Sequence, residues 1–455
     1  MKLEKNVPAV ASVKSFHNQN PSSSQSFKKR KWGLIVIPLL ILVFLGIAYY
    51  FWHAQKPVSP KDIVKITYWG LWEPKSVING LIAEFEKSHP AIKIDYQQQS
   101  ITDYRQRLQS ALASGQGPDI FRFHNTWLPM LKSDLASVPL TAVEETGLAD
   151  DYYPTVKESL FSAGNYYGLP LMIDTLAFYY NKEIFDQAGL RPPATWDEFR
   201  QTASLLTVRD EDGRVQQAGA AMGNASNVDH WSDILALMIL QNEGRLQGPY
   251  DNAAAKALEF FMVFSKEDQV WNNTLPDSTR AFAGGKLAMY FAPSWRIINL
   301  RELNPDLDFG ITTMPQLPGA QPKAWASYWA EGVSNRSPHQ EETWQFLTFL
   351  SRKESLEQLY KAGSQVHYVG ELYPRKSMAP LLNSDPLLAP FIKQASYAVS
   401  WHLCSNTGDN GINDNIRQYF GDAINRSLTG RSAELEKTVQ SGVSSVLSKY
   451  RIISL

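Results

Sequence analysis

One cysteine among 455 residues, Cys404, leaves no partner for an internal disulfide, so a core has to hold this fold rather than covalent staples. Signatures of common catalytic sites are missing as well. There is no H-E-x-x-H, no G-x-S-x-G, no G-x-x-x-x-G-K-[ST] phosphate loop and no G-x-G-x-x-G. Gly284-Gly285-Lys286 lacks the earlier glycine and the following hydroxyl of a phosphate loop and reads as a turn into a strand. No second His or Cys stands at ligand spacing from His124, which argues against a metal site, and no motif asks for a cofactor. Paired carboxylates are the catalytic device left open, because their geometry is spatial and Asp and Glu are abundant.

Charge is also missing from Trp32 to Trp52, 21 consecutive positions directly behind Lys28-Lys29-Arg30-Lys31. A helix of that length spans about 30 Å, the thickness of a bilayer's hydrocarbon core, and the aromatic residues at its far end suit the interface. The expectation is one N-terminal transmembrane helix, residues 32–53, acting as a single-pass anchor. The cationic flank keeps the N-terminus cytoplasmic and places the C-terminal part outside the cell membrane. A cleavable signal peptide is the competing reading, but Trp52 and His53 before Ala54 fit cleavage poorly, and no cysteine follows the apolar run to carry a lipid.

The leader, residues 1–31, is polar, lacks periodicity and is expected to be disordered. It carries seven Lys/Arg against one Glu, which leaves 37 Lys/Arg against 44 Asp/Glu in the rest of the chain. That acidic remainder argues against nucleic acid as a partner.

Beyond the anchor, roughly 400 residues exceed one ordinary domain, so two lobes are expected. Ile63 to Tyr68 alternates like a strand, Val77, Ile78, Leu81, Ile82 and Phe85 recur at helical spacing, and Ile92, Ile94 and Tyr96 alternate again. This is a βαβ unit with parallel strands. Thr102 or Asp103 can cap the next helix, which ends at Gly115 and Gly117 before a strand from Pro118. Thr195-Trp196-Asp197-Glu198 reads as a capping box opening a helix through Leu206. The class is α/β, with ligand chemistry expected at strand C-terminal ends, in the loops Trp69 to Pro74 and Phe123 to Trp127. Helical stripes through Trp344, Leu347 and Leu350 and through Leu435, Val439, Val443 and Val446 read as core.

In order along the chain, KITYWGLWEP, SALASGQGPDIFRF, YGLPLMIDTLAFYYNKEIFDQAGLRPPATWDEF, AFAGGKLAMYFAPSW and EETWQFLTFLSRKESLEQLY resemble the family 1 extracellular solute-binding proteins. These are the sugar-binding receptors of ABC importers that include maltose-binding protein. The resemblance implies a two-lobed type II periplasmic-binding-protein fold with a ligand cleft and a hinge. Lobe one is expected over 60–173 and 328–376, and lobe two over 174–327 and 377–455. Hinge crossings are expected at Met172, Ile173 and Thr175 and at Trp325, Ala326 and Ser327. The polar stretch His402 to Asn415 is longer than the resemblance leads one to expect and has no assigned role.

A sugar ring offers an apolar C–H face and an edge of hydroxyls, so it is held by flat aromatic side chains with fixed polar groups around them. Candidates in segments matching the family's cleft are Trp72, Glu73, Phe123, His124, Asn125, Asp174, Trp231, Trp295, Arg296 and Trp329. Each has a plainer alternative: a tryptophan packs in a core, Glu73 solvates a helix start, Asp174 ties the lobes together, and Arg296 is a surface charge. Trp196 and Trp344, on helical apolar faces, are taken as core. The resemblance implies a membrane-anchored receptor that hands a sugar or oligosaccharide to an ABC permease. A tethered glycoside hydrolase, or a sensory or peptide-binding receptor on the same fold, remains open.

Overall fold

Val64–Gly70 and Ile92–Gln98 become strands because alternate residues, Ile66 and Tyr68 on one and Ile92, Ile94 and Tyr96 on the other, are apolar and buried. Between them the helix Lys75–Ser88 turns Val77, Ile78, Leu81, Ile82 and Phe85 inward, the five residues whose spacing marks it in the sequence. The two strands pair in parallel, Val64 opposite Ile92. The helix Tyr104–Ala113 leads to a third parallel strand, Ile120–His124, and Trp329–Val333 returns antiparallel beside it. The first sheet therefore has the order 329–333, 120–124, 64–70, 92–98.

One detail departs from expectation. Asp103 precedes the helix Tyr104–Ala113 in a left-handed backbone (φ 51°), and neither its side chain nor that of Thr102 caps it. That conformation turns the Asp103 carboxylate toward Asn410, whose Nδ2 donates to it at 3.0 Å.

The second sheet is mixed, in the order Phe309–Thr312, Ala177–Asn181, Leu287–Ala292, Val215–Ala220, Val208–Arg209. Every residue of Leu287–Ala292 is buried, as befits a central strand covered on both faces. The helix Trp196–Leu205 covers it and is opened by a capping box: Thr195 accepts from the Glu198 backbone, and Glu198 accepts from the Thr195 backbone. Trp196 is core, as expected, closing on Phe199 and Phe291, and Trp344 is likewise buried.

Two segments carry the chain between the sheets. Leu169 bridges to Glu331 of the first sheet, Thr175 bridges to Ala326, and Ala177 already belongs to the second sheet. Ala324–Trp325 pairs in parallel with Ala398–Val399 on the way to Trp329. The polar stretch after Val399 reaches both halves. Asn125 Nδ2 donates to Ser400 Oγ, Asn413 Nδ2 donates to Thr126 Oγ1, and Ser405 N and Oγ donate to Asp233 on the helix Trp231–Gln241.

The protein is described by a computed structural model over residues 43–46, 49, 63–244, 251–431 and 435–452. The expected leader lies outside the described residues, as does the expected anchor except for Val43–Gly46 and Tyr49, which are helical. Among the described residues no helix is long and apolar enough to cross a membrane.

Candidate functional site: a cleft between the two sheets

A cavity of about 880 Å³ lies between the sheets. Its first wall is built by strand pleat. Arg122 occupies the middle of Ile120–His124, and register places Glu331 directly opposite it on Trp329–Val333. Tyr68, on the neighbouring strand, donates from its hydroxyl to Glu331 Oε1 at 2.9 Å. Arg122 Nε and Nη2 reach the same oxygen at 2.9 and 2.8 Å, while Nη1 donates to Glu73 Oε2 at 2.6 Å and to Glu371 Oε1 at 3.1 Å. One guanidinium thus serves three carboxylates in a nearly dry place, its side chain only 6% exposed.

Those carboxylates are not equivalent. Burial and then the charge of Glu73 hold Glu371 well above the usual carboxylate range. Burial would raise Glu73 too, but Arg122, together with a hydrogen bond from Glu371, more than offsets it and leaves Glu73 below its ordinary value. The two carboxyls therefore titrate as a coupled pair, with Glu371 the one held up. Tyr96 closes the corner by donating to the Glu73 backbone carbonyl at 2.8 Å. Gly70 makes room for that ring, since a Cβ there would collide with the Tyr96 side chain.

The second wall is built on one turn, pinned from across the chain. Asp174 accepts from Ser294 N, Ser294 Oγ and Thr175 N, holding the turn that starts the helix Arg296–Leu303. Burial pushes its carboxyl up to about 7 against those hydrogen bonds, which lower it. Trp295, held by this turn, is 38% exposed, and Arg296 lies over its ring at 4.3 Å. Arg296 Nε donates to His230 Nε2 at 3.1 Å, which leaves the His230 proton on Nδ1, toward Asp233 and Ser405.

Of the residues singled out from sequence, Trp72, Glu73, Asp174, Trp295, Arg296 and Trp329 border this cavity, as do Met172 and Ser327 of the expected hinge. Trp72 is 43% exposed and meets Trp329 edge to face at 4.8 Å, so one indole stays open while the other is fixed beneath it.

Phe123, His124, Asn125 and Trp231 do not border it. Strand alternation sends Phe123 to the face opposite Arg122, where it is fully buried against Phe121. The 3₁₀ turn Asn125–Trp127 folds inward, so His124 bonds Thr126 and Ser327, and Asn125 bonds Ser159 and Ser400. Trp231 opens a helix buried at every position but Leu240 and stays inside, against Gly421. Ile173, Thr175, Trp325 and Ala326 are buried in the crossing segments, where Trp325 Nε1 donates to Asp233 Oδ1 at 2.8 Å.

Sequence reasoning missed Tyr68, Arg122, Glu331, Glu371 and the loop residues Asn406 and Asn410, the last two bordering the cavity from the polar stretch. Arg122 did carry a signal, being a charge in the centre of the apolar strand IFRFH. The loop is not a loose insertion. Asp409 accepts from Gly411 N, Asn413 N and Asp414 N, and its carbonyl accepts from Arg105 Nε.

A two-lobed α/β binding fold, with a polar and aromatic cleft between its sheets, is the class these features define. Residues 70–357 match the bacterial extracellular solute-binding protein family, and the chain belongs to it. It is similar to a maltotriose-binding protein of Pyrococcus abyssi, 21% identical over 73% of this chain and 72% of that one. A multiple sugar-binding protein of Streptococcus mutans is 24% identical over 75% and 83%. Among solved structures, a cyclic α-maltosyl-1,6-maltose binding protein from Arthrobacter globiformis shares the fold with a TM-score of 0.69, covering 85% of this chain and 100% of that one at 17% identity.

Proposed function

We propose that this protein is a membrane-anchored, extracytoplasmic receptor that captures a sugar or oligosaccharide and delivers it to an ABC permease. The observation that carries the reading is the cavity itself: exposed indoles on opposite walls, Trp72 and Trp295, with carboxylates, guanidinium groups and amides between them. A ring held on an indole face with its hydroxyls bonded around the edge is what such a surface accommodates. The sugar-binding relatives support the same solute class.

In this reading residues 60–173 with 328–376 form one lobe, and 174–327 with 377–455 the other. Closure turns on Met172, Ile173 and Thr175 and on Trp325, Ala326 and Ser327. Ligand touches both walls only in the closed form, so binding shifts the population toward closure. Residues 32–53 anchor the receptor and raise its concentration near the permease.

The receptor is a binder rather than a hydrolase. Glu73 and Glu371 resemble an acid and base pair in charge, but both are bonded to the same Arg122 nitrogen, Nη1. Glycoside hydrolysis needs two carboxyls about 5 Å or more apart across the scissile bond. A thermal-shift screen of the full chain in detergent against saccharides, polyols, amino acids and peptides tests the proposal, since a ligand of the folded state raises stability by mass action. A shift with an intact sugar is expected. A shift only with peptides or amino acids, or one accompanied by sugar breakdown, overturns it.

A further inference from the structure

We propose that the preferred ligand is a saccharide carrying a protonated amine, its ammonium seated between Glu73, Glu371 and the open face of Trp72; this rests on the carbohydrate reading above. The first ground is charge. Five acidic residues border the cavity, Glu73, Asp103, Asp174, Glu302 and Glu371, against the guanidinium groups of Arg122 and Arg296 and the imidazole of His367, with no lysine among the described residues that line it. Both guanidinium groups are already engaged by protein partners. Arg122 is spent on three carboxylates, and Arg296 lies on Trp295 and donates to His230 and Asn299. A neutral sugar needs fixed donors and acceptors; a surplus of carboxylates adds to its binding only as acceptors.

The second ground is the state of the Arg122 cluster. Three carboxylates face one guanidinium, and Glu331, 1% exposed, keeps its Oε2 atom buried with no hydrogen-bond partner. Burial and the charge of Glu73 push the Glu371 carboxyl toward its neutral form, which relieves part of that excess. An ammonium arriving at Glu73 and Glu371 relieves it better, because it supplies a full positive charge with three N–H donors and lets Glu371 ionise.

The third ground is the aromatic surface beside the cluster. Trp72 directly precedes Glu73, is 43% exposed and presents its neighbour Trp329 edge to face, so an indole face stays available to a cation. The same field disfavours phosphorylated or carboxylated sugars, because a ligand anion meets several carboxylates and only guanidinium groups already engaged by protein partners.

Calorimetry on the full chain in detergent at pH 7 tests this with matched ligands: the β-1,4-linked glucosamine disaccharide, its N-acetylated form, cellobiose, galactosamine with galactose, and spermidine as an amine without a ring. Amine forms are expected to bind at least tenfold more tightly than their neutral counterparts. Binding releases a proton, seen as a dependence of the measured heat on buffer ionisation, and the preference weakens with added salt. In Glu371→Gln the ratio between amine and neutral forms falls toward one. Equal affinity for amine and neutral forms of the wild type overturns the ammonium seat and leaves the carbohydrate reading standing. Binding of spermidine with no saccharide does the reverse. No heat from any probe overturns both.

Discussion

The two walls of the cleft solve the same problem in different ways. The first holds its polar groups by long-range ion pairs: Arg122 reaches residues 49, 209 and 249 positions away in the chain. The second relies on one carboxylate, Asp174, that pins the Ser294-Trp295 turn through backbone and hydroxyl groups. In the first wall the charges are structural and functional at once, so removing one unsettles the fold. In the second, Trp295 and Arg296 project from a local turn and can be altered with less damage.

The largest effect that sharpens this contrast is expected at Arg122. Arg122→Met leaves three carboxylates buried without their cation and should cost about 3–5 kcal/mol, read by chemical denaturation. Arg296→Met should cost less, about 1–2 kcal/mol in the same assay, because it removes one hydrogen bond to buried His230 and a stacking contact on half-exposed Trp295 instead of stranding three carboxylates. Equal losses at the two positions would erase the distinction between the walls.

A second effect concerns pH. Burial lowers His124 to about 3 and His402 to about 4, below their unfolded value near 6.5. Both imidazoles fold neutral, so the unfolded chain binds more protons between those limits. The stability they contribute is complete above about pH 6.5 and is lost as pH falls toward 4. Each imidazole adds a slope of roughly 1.4 kcal/mol per pH unit in that window. His124→Gln should remove about one imidazole's share of the slope; an unchanged midpoint-against-pH curve would refute the burial argument.

Trp72→Ala and Trp295→Ala test the walls as ligand surfaces. Each is expected to weaken saccharide binding on the order of tenfold, about 1.4 kcal/mol, with a small change in melting temperature. Unchanged affinity in both would remove the indoles from the site. Smallest is Thr195→Ala, remote from both walls. Loss of its capping bond should cost about 1 kcal/mol of stability and leave ligand affinity as it was.

Much of the scaffold is legible in the order of residues alone. Val77, Ile78, Leu81, Ile82 and Phe85 at helical spacing between two alternating segments specify a βαβ unit, and the Thr195 to Glu198 capping box marks a helix start to the residue. These signals are local and repeat with the period of the backbone that forms. Trp72 and Trp295 stand out because each interrupts a strand-to-helix connection. Phe123 and Trp231 are misplaced by the same reasoning, because nearness to a loop does not say which face a side chain takes. Within Ile120–His124 the pleat separates Arg122 from Phe123.

By itself, then, the sequence determined the α/β class, the order of strands and helices, the family and the aromatic character of the cleft. The class and the order of elements follow from periodicity and capping, which act over a few residues, whereas the family is read from the ordered resemblance of whole segments. Only the tertiary structure decided that Tyr68, Glu73, Arg122, Glu331 and Glu371 form one charged cluster, and that the polar stretch around Asp409 is a fixed part of the cleft. The physical reason is reach. A hydrogen bond or ion pair acts over about 3 Å, and strand pairing and the return of the chain across the first sheet bring distant residues to that distance.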